Sequence, residues 1–111
     1  MVKIISFIRR NPDFTHAQFV DYWKNVHAPM CRDLLPGLRH YVGKFPTGDG
    51  HGGREPDYDG LIELGFDDVE SLRAALSSPS FQTAERKASS AKVMDDDRTE
   101  HLIVEDCVIE L

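Results

Sequence analysis

The sequence predicts one α+β domain, residues 1–111, with the element order strand–helix–strand–strand–helix–strand. Three observations predict it. Four stretches carry apolar residues with the period-2 spacing of strands. Two longer stretches open on helix-capping residues. The chain also repeats one β-α-β unit in each half, which is the ferredoxin-like βαββαβ pattern, a four-stranded antiparallel sheet with its helices on one face. A length of 111 residues is that of a single domain.

Residues 2–10, VKIISFIRR, read as the first strand, with Ile4 and Ile8 on one face and Ile5 and Phe7 on the other. The turn NPD follows. Thr15 and Gln18 then form a capping box, and Phe14 and Phe19 are spaced as a hydrophobic staple across it. Phe19, Trp23, Val26 and Met30 recur at helical spacing. Pro29 lacks the backbone donor that would meet the Asn25 carbonyl, so a kink or break is expected near Ala28. The helix resumes through CRDLL and stops at Pro36-Gly37.

Residues 38–45, LRHYVGKF, form the second expected strand, and residues 58–66, YDGLIELGF, the third. In the third, Tyr58, Ile62, Leu64 and Phe66 share one face, and Asp59, Leu61 and Glu63 share the other. Asp67 or Asp68 caps a helix over 69–78. Pro79 interrupts it, and it resumes over 81–94 with Phe81, Ala84, Ala88 and Ala91 at helical spacing. DDDR reads as a solvated turn. Residues 99–111, TEHLIVEDCVIEL, read as the last strand, with Ile103, Cys107 and Ile109 opposite Leu102, Val104 and Val108.

Every strand is thus apolar on both faces, while the helices cover only one. A second face left bare would be an oversized exposed patch, and an identical partner sheet covers it most simply. A homodimer is therefore expected.

The formal net charge of −6 argues against a nucleic-acid partner and gives no polybasic membrane patch. The N-terminal apolar run is too short to span a membrane and has no signal-peptide cleavage region. Two cysteines, Cys31 and Cys107, are too few for a disulfide framework, and a reduced, cytoplasmic setting is the expectation.

Between the second and third strands, residues 46–57 hold the densest run of glycines, including G-x-G-x-x-G at Gly48, Gly50 and Gly53. A dinucleotide site needs a helix N-terminus directly after that motif, whereas a strand follows here, so the motif reads as a loop. The segment 47–56 is expected to be mobile and to act as a lid. The five histidines show neither H-x-x-x-H nor H-E-x-x-H spacing, and no metal site is expected.

Chemistry concentrates in residues 22–30, YWKNVHAPM. His27 falls inside the apolar arc of its helix, between Val20 and Leu34 and one turn beyond Trp23. An imidazole titrates near neutrality and can move a proton without a cofactor. In competition with that role, a core histidine bonded to a backbone carbonyl fits the same position. Trp23 supplies a pocket wall. Tyr41 can donate to an oxyanion or be an ordinary strand tyrosine. His40 shares a strand face with Leu38 and Val42. Glu63 and Asp59 are structural if they face the barrel, and Glu63 is a second base if it faces the pocket.

Taken together, FVDYWKNVHAPM, LPGLRHYV, YDGLIELGF and SLRAALSSP resemble the EthD family of dimeric α/β-barrel proteins. The resemblance implies a homodimer whose two sheets close into a barrel, and a small pocket in each chain between sheet and helices. It implies chemistry on a small organic compound with no metal or organic cofactor. On this reading His27 and Tyr41 are catalytic, and Trp23, His40 and Glu63 bind the ligand. Three functions follow. The first is proton transfer, as isomerisation, dehydration or cyclisation of an apolar oxygenated compound. The second is an oxidoreductase or monooxygenase acting on phenols or ethers. The third is a non-catalytic dimeric ligand carrier.

Overall fold

The four strands are β1 (Val2–Ile8), β2 (His40–Lys44), β3 (Gly60–Phe66) and β4 (Glu100–Glu105). They pair in the order β2-β3-β1-β4, with every neighbour antiparallel. The structure is a computed structural model and describes residues 1–50 and 52–111. In register, Ile4 pairs with Leu64 and Ile103, and Ser6 pairs with Ile62 and His101. These even-numbered residues of β1 face the helices, and Ile5 and Phe7 face away. The helices are α1 (His16–Tyr22), α2 (Ala28–Leu34), α3 (Val69–Leu76) and α4 (Ala84–Val93). The ferredoxin-like arrangement is therefore as expected.

Thr15 and Gln18 close the capping box that opens α1. The expected break near Ala28 takes a different form. The helical path continues, but Trp23–His27 form a π-helical turn, in which the Ala28 N–H donates to the Trp23 carbonyl five residues back. With no N–H on Pro29 and its ring pressing on the preceding turn, the wider π turn relieves the crowding. It also resets the helix phase. The buried stripe is Phe19, Trp23, His27, Cys31 and Leu35, four residues apart throughout. At 3.6 residues per turn that spacing drifts by about 160° from Phe19 to Leu35, and one extra residue in a π turn removes about 100° of it. Val26, expected in the apolar stripe, is consequently exposed, whereas His27, expected inside the apolar arc, is 3 % exposed.

Asp68 and Thr83 cap α3 and α4 by accepting from the Ser71 and Arg86 N–H groups. The interruption near Pro79 is a full turn between two separate helices. In α4 the expected phase is wrong: Ala84, Ala88 and Ala91 are exposed, and Ser89 and Val93 are buried. Val93 sets the phase because burying a branched aliphatic side chain is worth more than burying alanine methyls. The last strand is shorter than expected. It ends at Glu105, and Val108, Ile109 and Leu111 are exposed beyond it. The third strand begins at Gly60, and Tyr58 packs on Phe7, on the face away from the helices.

The glycine-rich loop has Gly48, Gly50, Gly52 and Gly53 at positive φ, which only glycine adopts without strain. Residues 54–59 after it lead into β3 without a helix. His51, within the expected lid, lies outside the described residues. Among the described residues no helix is long and apolar enough to cross a membrane. Cys31 is buried and Cys107 exposed, and both are free.

Candidate active site

Between the helices and the sheet lies a cavity of about 390 Å³. That is the size of small-molecule sites, which are mostly apolar with a few placed polar groups. Its floor is the helix-facing side of the sheet, including Ile4, Ile62 and Leu64. The π turn and α2 supply Trp23, His27 and Cys31 to one wall. The α3–α4 connection and α4 supply Phe81, Arg86 and Ser90 to another.

His27 sits at the centre of a buried polar chain. Its Nδ1 is 2.9 Å from Ser89 Oγ, and Ser89 Oγ is 3.1 Å from the Tyr22 hydroxyl. Its Nε2 is 3.4 Å from Cys31 Sγ. The Tyr41 hydroxyl faces the Cys31 thiol. The Trp23 ring lies 4.5 Å from the His27 ring, centroid to centroid, at 51°. Both His27 nitrogens thus have partners, and the ring orientation is held from three sides.

Burial, and secondarily the Arg86 cation, lower the His27 pKa to about 4, so the imidazole is neutral at neutral pH. Burial raises the Cys31 thiol to about 11, and it stays protonated. Tyr41 is pushed up by burial and then by its thiol neighbour, and it remains a hydrogen-bond donor. A neutral base beside a neutral donor can accept a proton from a substrate while steadying its oxygen.

Of the five residues expected at the site, Trp23, His27 and Tyr41 come together at this cavity. His40 and Glu63 do not. Alternation along β2 and β3 turns both to the opposite face of the sheet, where His40 Nε2 lies 2.8 Å from Glu63 Oε1. There Lys44 at 2.6 Å and Lys3 at 3.6 Å complete a charge cluster around Glu63. Hydrogen bonds from Lys44 and then His40 hold its carboxyl at about 2. Asp59 is buried as a fastener, 2.9 Å from Arg10 Nη1 and 3.0 Å from His16 Nδ1.

Sequence reading missed Cys31, Ser89, Arg86 and the pair Ser6–His101, whose Oγ and Nδ1 stand 2.7 Å apart on the cavity floor. The α4 residues were legible in principle. Counting back from Val93 by three or four gives Ser89 or Ser90 and then Arg86, a polar stripe on the side of α4 that Val93 turns inward. Nothing local links Ser6 to His101, 95 residues apart. Among the described residues no cluster of three or more His, Cys, Asp or Glu side chains is placed to hold a metal ion.

The model of the EthD domain matches residues 11–98. No curated protein matches the chain. An ethyl tert-butyl ether d (EthD) family protein from Bacillus halodurans is 30% identical, with 96% of this chain and 99% of that one covered at a TM-score of 0.65. A dimeric ferredoxin-like protein of unknown function from Thermobifida fusca shares 18% identity, covering 93% and 88% at 0.64. SnoaB, a cofactor-independent oxygenase from Streptomyces nogalater, shares 15%, covering 97% and 94% at 0.65. The last two share the fold. The family match over most of the chain and the Bacillus relative together make this protein a member of the EthD domain family.

Proposed function

We propose that the chain is a small-molecule enzyme that works by proton transfer in the cavity beside His27, without an organic cofactor or metal. The observation that carries the reading is the state of His27: buried, neutral, and oriented by Ser89 in the wall of a largely apolar cavity. The bound compound displaces the long 3.4 Å contact of the Cys31 thiol, and the freed His27 Nε2 takes a proton from a carbon or hydroxyl of that compound, while Ser89 keeps hold of Nδ1. Tyr41 donates a hydrogen bond to the oxygen on which negative charge develops. His27 then returns the proton at a second position, which isomerises the compound, or delivers it to a departing hydroxyl, which dehydrates it. Trp23 supports the imidazole and walls the substrate. The substrate class is a compact, apolar, oxygenated compound. The active unit is a homodimer joined through the sheet faces that carry Glu63 and His40. The family membership and the dimeric Thermobifida neighbour support a homodimer, and the apolar side chains on that sheet face support its place.

The test is proton exchange itself. A panel of lactones, phenols and β-dicarbonyl compounds is incubated in D₂O with the protein, and deuterium at carbon is read by NMR. His27→Gln is expected to lower the exchange rate by roughly 10²–10⁴-fold, the usual worth of a general acid–base. Exchange at the native rate in a folded His27→Gln protein overturns the reading. Oxygen consumption in the same reactions, with phenols as substrates, would establish oxidation in its place.

A further inference from the structure

One side chain on the cavity wall carries a permanent charge that no carboxylate matches among the described residues. Arg86 Nε donates to the Phe81 carbonyl at 2.8 Å, and its Nη1 lies 3.2 Å from Ser90 Oγ. Its guanidinium carbon sits 4.0 Å from the centre of the Phe81 ring. A guanidinium has five N–H donors, and these contacts use two. Among the described residues no carboxylate lies within ion-pair distance of Arg86. Asp96, the acidic residue of the lining, is exposed and outside that distance. Carboxylates are not scarce, since the chain has 19 acidic residues against 13 basic ones. The other titratable groups facing this cavity are His27, Cys31, Tyr41 and His101.

A guanidinium stacked on a ring and tied at two donors is preorganised, and its remaining donors form a fork suited to an oxyanion. A wholly apolar ligand would leave those donors unpaired in a partly dry site, which is unfavourable. An anion seated there would also offset the charge that helps to hold His27 neutral.

We propose that Arg86 is a binding residue for an oxyanion, so that the cavity selects compounds with an apolar ring or chain bearing one carboxylate, ionised phenol or enol. The inference rests on the cavity being the substrate site and narrows its substrate class. The apolar body would lie over Ile4, Leu64, Leu76 and Trp23.

Calorimetric titration of the full chain with 2-naphthoate and with its neutral counterpart 2-naphthalenemethanol tests this. The native protein is expected to bind the carboxylate about tenfold or more tightly, as one charge-assisted contact warrants. Equal affinities, or tighter binding of the alcohol, overturn the proposal on the native chain alone. In Arg86→Gln the preference is expected to vanish while the alcohol still binds. Arg86→Lys, which keeps the charge, is expected to retain part of it. A preference that survives unchanged in Arg86→Gln also overturns the proposal. Titration with 2-naphthol below and above its own ionisation separates the two anion types: tighter binding of the ionised form adds phenolates, and unchanged affinity restricts the site to carboxylates. His27→Gln distinguishes this proposal from the proton-transfer reading. Loss of exchange with the carboxylate preference retained supports both, and native exchange with the preference retained sinks only the latter.

Discussion

His27 and Ser89 meet at 2.9 Å across the contact between the π turn and α4, and Ser89 reaches Tyr22 at 3.1 Å in the same step. One serine hydroxyl thus links a candidate catalytic side chain to a neighbouring helical segment. Replacing Ser89 by alanine leaves the His27 nitrogen and the Tyr22 hydroxyl each short of a partner. The expected loss of stability is about 1–3 kcal/mol by denaturant titration. In the protein that still folds, turnover should fall more than substrate affinity, because the imidazole loses its orientation. A fall in affinity alone would assign Ser89 to packing.

The pH dependence of stability carries a signature of His27. Its pKa is about 4 in the folded chain against 6.5 in the unfolded one, so between these values the unfolded state binds more protons. The stabilisation is fully present above pH 6.5 and is lost as pH falls toward 4. The expected loss over that window is roughly 3 kcal/mol for a shift of this size. Unfolding free energies of the native chain and His27→Gln, measured from pH 7 to pH 4, should converge as pH falls. Parallel curves would show that His27 is not held neutral by burial.

Gly65 explains itself by contact. A Cβ built there lies 2.7 Å from the Cβ of His40, its partner on β2, and 2.5 Å from the flexible Met1 sulfur. The Met1 side chain can move, but the β2 backbone cannot do so cheaply. Gly65→Ala is expected to cost about 1–3 kcal/mol, with the denaturation midpoint as the measurement. An unchanged midpoint would show that the β2–β3 edge is soft.

The sheet face away from the helices carries Ile5, Phe7 and Leu61, with Leu102 55% exposed and Val42 36% exposed. A homodimer mass by light scattering at micromolar concentration is the expected outcome. Leu102→Lys should weaken the association by introducing a charge on that face. A native chain that is monomeric under those conditions removes the barrel.

What the sequence by itself determined was the set of elements and their order. Helix caps, period-2 runs and prolines act within a few residues, so Thr15, a cap at Asp67 or Asp68, and Pro29 could be read without a fold. The Tyr-Trp-x-x-x-His-Ala-Pro block pointed to the family and to His27. Tertiary structure decided which side of each element mattered. The π turn kept His27 in the buried stripe and left Val26 outside it, because the packed stripe repeats every four residues while an α-helix repeats every 3.6. Packing on Val93 turned Arg86 and Ser89 inward and left the alanines in solvent. Strand alternation put Glu63 and His40 on one face and Tyr41 on the other, and period 2 alone does not say which face meets the helices. The cavity exists only where residues as distant as Ser6 and His101 are brought together, and burial of the sheet under the helices drives that closure.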